Sequence, residues 1–167
     1  YMNLSEKYSG YQTIPAYIIE KDISNYTKTI IINVGKNEGI EVNMTVIADA
    51  GLVGHVISVT DTTAKVETII DPASSISSNI STTKEPIICR GVIDSNRLKG
   101  INIQTDANLV VGDNVETSGM GGIYPKGILI GNISEVVNTK NKTDRYAVIK
   151  PSVDFESVET VLVITNK

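Results

Sequence analysis

The sequence predicts an all-β fold: two small β-barrel-like domains built from short Gly-rich hairpins, with little helix. Three observations predict it. First, the apolar runs Met44–Ala48 and Leu52–Val59 are rich in β-branched residues and flank Asp49-Ala50-Gly51, the pattern of a tight hairpin. Second, the pattern returns about half a chain later. Gly127-Ile128-Leu129-Ile130-Gly131-Asn132-Ile133-Ser134-Glu135-Val136 echoes Gly51-Leu52-Val53-Gly54-His55-Val56-Ile57-Ser58-Val59 with one extra residue, and Val111-Gly112-Asp113-Asn114-Val115 echoes the hairpin's entry. Two copies are too few for a solenoid, which needs at least ~3. Third, no amphipathic stretch runs longer than about three helical turns.

Residues 1–13 are polar and Tyr-rich, and read as a leader or the end of an upstream helix. Residues 16–21 form a first strand behind Pro15. Residues 29–34 form a second, a near-continuous Ile run suited to burial on both faces. Between it and the hairpin, Gly35 and Gly39 bracket the turn Lys36-Asn37-Glu38. A strand over 64–70 stops at Asp71-Pro72. In the Ser/Thr-rich stretch 74–83, Ile76 and Ile80 argue for a short helical turn followed by a strand.

Residues 87–93 open the second unit, and 98–105 form their hairpin partner. The short strand 115–117 runs into the loop richest in glycine, Ser118 to Gly127. Strands over 128–137 and 145–151 pair across a polar loop, and 161–165 is the last strand. The domains are placed at 14–85 and 86–150, with 151–167 a C-terminal strand. Turn positions are assigned to Gly35, Gly39, Gly51, Gly54, Gly112, Gly119, Gly122, Gly127 and Gly131.

Composition excludes several functions. A net charge of −4 leaves no basic stripe for nucleic acid. With no Trp and one Phe, a stacking platform for bases or sugars is poorly supplied. Cys89 stands alone, so no internal disulfide forms. One His and one Cys make no zinc set, and no Asp-x-Asp-x-Asp-Gly loop offers calcium its oxygens. Gly119–Gly122 cannot cradle a phosphate in the manner of a P-loop, because Ile123-Tyr124-Pro125 opens no helix behind it. The turn at Val111–Val115 is like that of lipoyl carriers, but no Asp-Lys-Ala or Met-Lys-Met follows. No cofactor and no metal are implied. Asp154-Phe155, with Val153 and Val158, is read as a loop packing its Phe into the core.

The enzymatic alternative is a two-barrel, chymotrypsin-like serine hydrolase. His55, then Asp71 or Asp94, then Ser118 followed by Gly119 match that group's order of base, acid and nucleophile. Against it, Ser118 sits in Glu-Thr-Ser-Gly-Met, and His55 falls within a strand.

Several motifs carry a resemblance jointly. They are Ile32-Asn33-Val34-Gly35 with Gly39-Ile40, Met44, Val46-Ile47 and Gly51-Leu52-Val53-Gly54; then Lys65-Val66, Ile69-Ile70-Asp71 and Gly91; then Val111-Gly112-Asp113, Thr117-Ser118-Gly119, Gly121-Gly122, Pro125, Gly127 and Ile130-Gly131; and last Val153-Asp154-Phe155, Val158, Val161 and Val163. In this order and spacing, the chain resembles the extracytoplasmic region of the MreC family of rod shape-determining proteins, from about Ala16 to Ile164.

The resemblance implies a non-enzymatic scaffold of the cell-elongation machinery that organises peptidoglycan synthesis to maintain rod shape. It implies a class B penicillin-binding protein, MreD and MreB as partners, and self-association into dimers or filaments. It places the chain on the extracytoplasmic face of the bacterial plasma membrane, behind a coiled coil and a single-pass anchor that this stretch lacks. Residues 1–13 would then be the end of that coiled coil, and the C-terminal strand within 151–167 can return to the first domain. Contact with partners is expected at a strand edge or in the cleft between barrels. A third reading, a β-barrel adaptor of an export system, expects a long helical hairpin that this sequence lacks.

Overall fold

The computed structural model describes residues 10–24 and 26–166. It contains β1 (Thr13–Ile23), β2 (Lys28–Ile32), β3 (Thr45–Ala48), β4 (Gly51–Val59), β5 (Ala64–Thr68), β6 (Ser75–Ile80), β7 (Pro86–Gly91), β8 (Leu98–Ile101), β9 (Asn114–Thr117), β10 (Leu129–Val137), β11 (Tyr146–Pro151) and β12 (Thr160–Ile164). Helix among the described residues is limited to single 3-10 turns at Lys36–Glu38 and Lys142–Asp144. The strands close into two antiparallel barrels, one in the order β1-β12-β3-β4-β5-β2 and the other β10-β11-β8-β7-β6-β9. The two-barrel, all-β expectation holds.

Alternation explains most of the packing. β5 reads buried, exposed, buried at Ala64, Lys65 and Val66, and β11 buries Ala147 and Ile149 around Val148. Two strands break the alternation. β2 buries Lys28, Thr29, Ile30 and Ile32, as its apolar run predicts. β4 buries Gly51, Leu52, Val53 and Gly54 in succession, because β4 packs its second face against β10 of the other barrel. At Gly51 the backbones come so close that a Cβ would lie 2.5 Å from the Leu129 carbonyl oxygen.

The domain boundary needs correcting. The sequence pattern groups residues 75–80 with the first domain, but β6 pairs with β7 and β9 and belongs to the second barrel. The Ser-rich composition misled because β6 turns Ile76 and Ile80 into the core with Ser78 between them. The buried Ser78 hydroxyl donates to the Ile76 carbonyl at 2.9 Å. No helical turn follows Pro72. The Ser74 N–H donates to the Asp71 carbonyl at 2.9 Å, and Asp71 Oδ1 accepts the Ala73 N–H at 2.8 Å, which makes a turn capped by its own aspartate. At the other end, β12 pairs with both β1 and β3 of the first barrel. The leader lies largely outside the described residues, and its last residue, Thr13, already opens β1.

Of the glycines assigned to turns, Gly39, Gly51, Gly112, Gly119, Gly122 and Gly127 have positive φ, from 81° to 152°. Gly54 and Gly131 are corrections. They lie inside β4 and β10, where the neighbouring strand leaves no room for a side chain. Gly35 has φ −151°, and its site is crowded by the Thr60 carbonyl.

Candidate functional site

The seam between the barrels is built from β4 and the Gly-rich loop 118–127. Thr117 anchors the base of that loop. Its hydroxyl donates to the Pro125 carbonyl and accepts the Ile128 N–H, so the loop folds back on itself. Its middle then reaches the first barrel. The buried Thr45 hydroxyl donates to the Ile123 carbonyl at 3.2 Å, and Tyr124 meets His55. Tyr124 OH lies 2.8 Å from His55 Nδ1, with the rings edge to face at a centroid distance of 5.7 Å. Burial, and secondarily the charge of Glu67, push the Tyr124 hydroxyl well above the usual phenol range. It therefore stays protonated. Burial, with the charge of Asp71, raises Glu67 in turn. Sequence reasoning missed Tyr124 as a seam residue. The available signal was an aromatic residue followed by Pro within a run of glycines.

These bonds overturn the serine-hydrolase reading. The Ser118 hydroxyl donates to the Ser77 carbonyl at 3.0 Å and accepts the Met120 N–H at 3.2 Å, so its proton is directed at a carbonyl and not at an imidazole. His55 Nδ1, the nitrogen that an acid would orient, faces Tyr124. Asp71 holds backbone with both oxygens, taking the Lys28 N–H on Oδ2 and the Ala73 N–H on Oδ1, each at 2.8 Å. Asp94 sits at a turn with φ 62°. The order of residue types matched a triad, but His55, Asp71 and Ser118 each have a structural task of their own. Among the described residues, no three acidic, His or Cys side chains are grouped to hold a metal ion.

What remains is surface. Both sheets close, so among the described residues neither barrel offers the open strand edge that was one of the two places expected for docking, the other being the cleft between barrels. An open groove of about 590 Å³ runs along the second barrel beside the Gly-rich loop, lined by Ser77, Asn79, Ile88, Ser118, Met120 and Lys126. A smaller one of about 290 Å³ lies on the first barrel among Pro15, Tyr17, Asn33, Val34 and Thr160. Met120 is 71% exposed and Tyr17 62%. Open grooves that mix apolar side chains such as Ile88 and Met120 with hydroxyls, amides and a lysine suit a polypeptide surface better than an enclosed small ligand. Val153 and Phe155 are buried, so the loop packs its Phe into the core.

The family model described as rod shape-determining protein MreC, barrel core, matches residues 18–165. The chain belongs to the MreC family. It is 27% identical to the cell shape-determining protein MreC of Listeria monocytogenes over 98% of this chain, and spans only 57% of that relative's length. Among solved structures, MreC from Pseudomonas aeruginosa superposes with a TM-score of 0.87 at 25% identity, over 92% of this chain and 99% of that one. MreC in a complex with a penicillin-binding protein from Helicobacter pylori gives 0.72 at 17% identity, over 93% and 99%. The major periplasmic domain of a cell shape-determining filament MreC gives 0.77 at 22%, over 93% and 96%. The last two show the shared fold.

Proposed function

We propose that this MreC-family chain is an extracytoplasmic scaffold of the cell-elongation machinery, organising peptidoglycan synthesis to maintain rod shape. The observation that carries this reading is the family match across both barrels, together with the same fold in the penicillin-binding protein complex from Helicobacter pylori. The partner is a class B penicillin-binding protein, with MreD and MreB joined through the parts of the protein beyond this stretch. The chain works on the outer face of the plasma membrane, held by a single-pass anchor, and associates with itself. The relative described as a periplasmic domain of a filament supports both location and self-association. A scaffold works through surfaces and needs no catalytic group, which agrees with the structural tasks found for His55, Asp71 and Ser118.

The test is direct binding. The chain is immobilised and the extracytoplasmic part of a class B penicillin-binding protein from the same cell is passed over it. Saturable binding in the micromolar range or tighter is expected. No response from partner shown to be folded and active overturns the reading. Light scattering across concentration then measures self-association.

A further inference from the structure

The two barrels have the same wiring. When β1, β2, β3, β4, β5 and β12 are set against β7, β8, β9, β10, β11 and β6, every pairing in one barrel has its counterpart in the other. The match extends to register. β4 shifts register against β3 just before Gly54, and against β5 between Val56 and Ser58. β10 shifts against β9 just before Gly131, and against β11 between Ile133 and Glu135. Entry turns correspond too. Asn43 at φ 74° donates to the Val56 carbonyl, and Gly112 at φ 97° donates to the Ile133 carbonyl, both at 2.8 Å. The strands in touch across the seam, β4 and β10, are counterparts, as a two-fold relation between the halves requires.

In chain order, however, the sixth strand of each set is out of place. β6 follows β5 yet completes the second barrel, and β12 follows β11 yet completes the first. The crossovers that carry them correspond as well. Asp71 accepts the N–H two residues on, and so does Asp154, which takes the Glu156 N–H at 3.1 Å. Ile69 N–H donates to the Val53 carbonyl, and Ser152 N–H to the Ile130 carbonyl.

We propose that the repeating unit is the half-chain, β1–β6 and β7–β12, that the halves have exchanged their sixth strands, and that the two barrels therefore open as one body. The crossovers make the coupling. Ile69, Ile70, Val153 and Phe155 are buried, so they act as shared core. The first crossover accepts the Lys28 N–H of β2 on Asp71, and the Gly91 N–H of β7 on the Ser74 carbonyl. The second donates from Ser152 to β10, and its Glu159 carbonyl takes the Ile18 N–H of β1. Each crossover is thus bonded to both barrels. Two independent barrels joined by a linker would move and melt separately.

Cys89 is the reporter, since it is buried in β7 of the second barrel. The full chain is equilibrated across a urea series. Circular dichroism follows the whole molecule, while a short pulse of a thiol reagent follows Cys89. Leu162→Ala cuts into β12 in the first barrel, where Leu162 is fully buried. One dichroism transition is expected, with both midpoints falling together by about 1 M. A Cys89 midpoint unmoved while the dichroism splits into two steps overturns the proposal. Val163→Ala, the milder cut in the same strand, gives the same comparison where the first variant does not fold.

Discussion

Gly54 and Gly131 hold the same place in the two barrels. A Cβ on Gly54 would stand 2.0 Å from the Glu67 carbonyl oxygen, and one on Gly131 would stand 2.1 Å from that of Lys150. Neither has positive φ, so the demand is for space, set by the neighbouring strand's backbone. Backbone cannot swing aside as a flexible side chain can. Gly54→Ala and Gly131→Ala are each expected to destabilise by about 1–3 kcal/mol or more, measured by urea unfolding. An Ala at Gly10, where nothing lies within 4 Å, is the neutral control.

The half-chain repeat was legible in these glycines, and the place of β6 in the second barrel was not. The boundary at 85/86 marks the junction between β6 and β7, which is where the repeat turns over. It is not the barrel boundary, because pattern alone does not say which of two like slots a strand fills. β6 turns Ile76, Ser78 and Ile80 to a core, and β12 is apolar and buried throughout Val161 to Ile164, but neither pattern names the barrel that the strand completes. The hydrolase reading failed for a related reason. The order of His55, Asp71 and Ser118 is a sequence property, whereas their partners Tyr124, Lys28 and Ser77 come from distant parts of the chain. Tyr124 became visible as a seam residue only once the loop was seen folded back onto Thr117.

Tyr124→Phe removes the hydroxyl that faces His55 Nδ1 while keeping the edge-to-face ring contact. The expected loss is about 1 kcal/mol, since a polar atom at the seam is left without that partner. Comparison of urea midpoints for wild type and variant checks it. In the wild type, alkaline titration should leave Tyr124 un-ionised until the protein unfolds, because burial holds its hydroxyl high.

Cys89 is fully buried, and burial pushes its thiol up to about 12, against a weaker opposing hydrogen bond from Ser78. A protonated, enclosed thiol is a poor nucleophile. In native buffer at neutral pH, a thiol reagent should find essentially nothing to react with, and in denaturant it should titrate one thiol per chain. Rapid reaction of the folded protein would contradict the burial of β7.

Lys84 and Glu116 form a 3.0 Å ion pair between the β6–β7 turn and β9. The hydrogen bond from Lys84 holds the Glu116 carboxyl below its ordinary 4.5. A carboxylate lowered in the folded state stabilises above the unfolded value, and that contribution is lost as pH falls through the folded value. The Lys84 side chain is 62% exposed, so the pair is worth at most about 1 kcal/mol. Glu116→Gln should therefore melt slightly below wild type at pH 7. The gap should close as the pH is taken from 4.5 downward, and added salt should narrow it at neutral pH by screening the exposed end. A gap that stays constant across the acid range would assign the loss to the neutral hydrogen bonds of Glu116 and not to its charge.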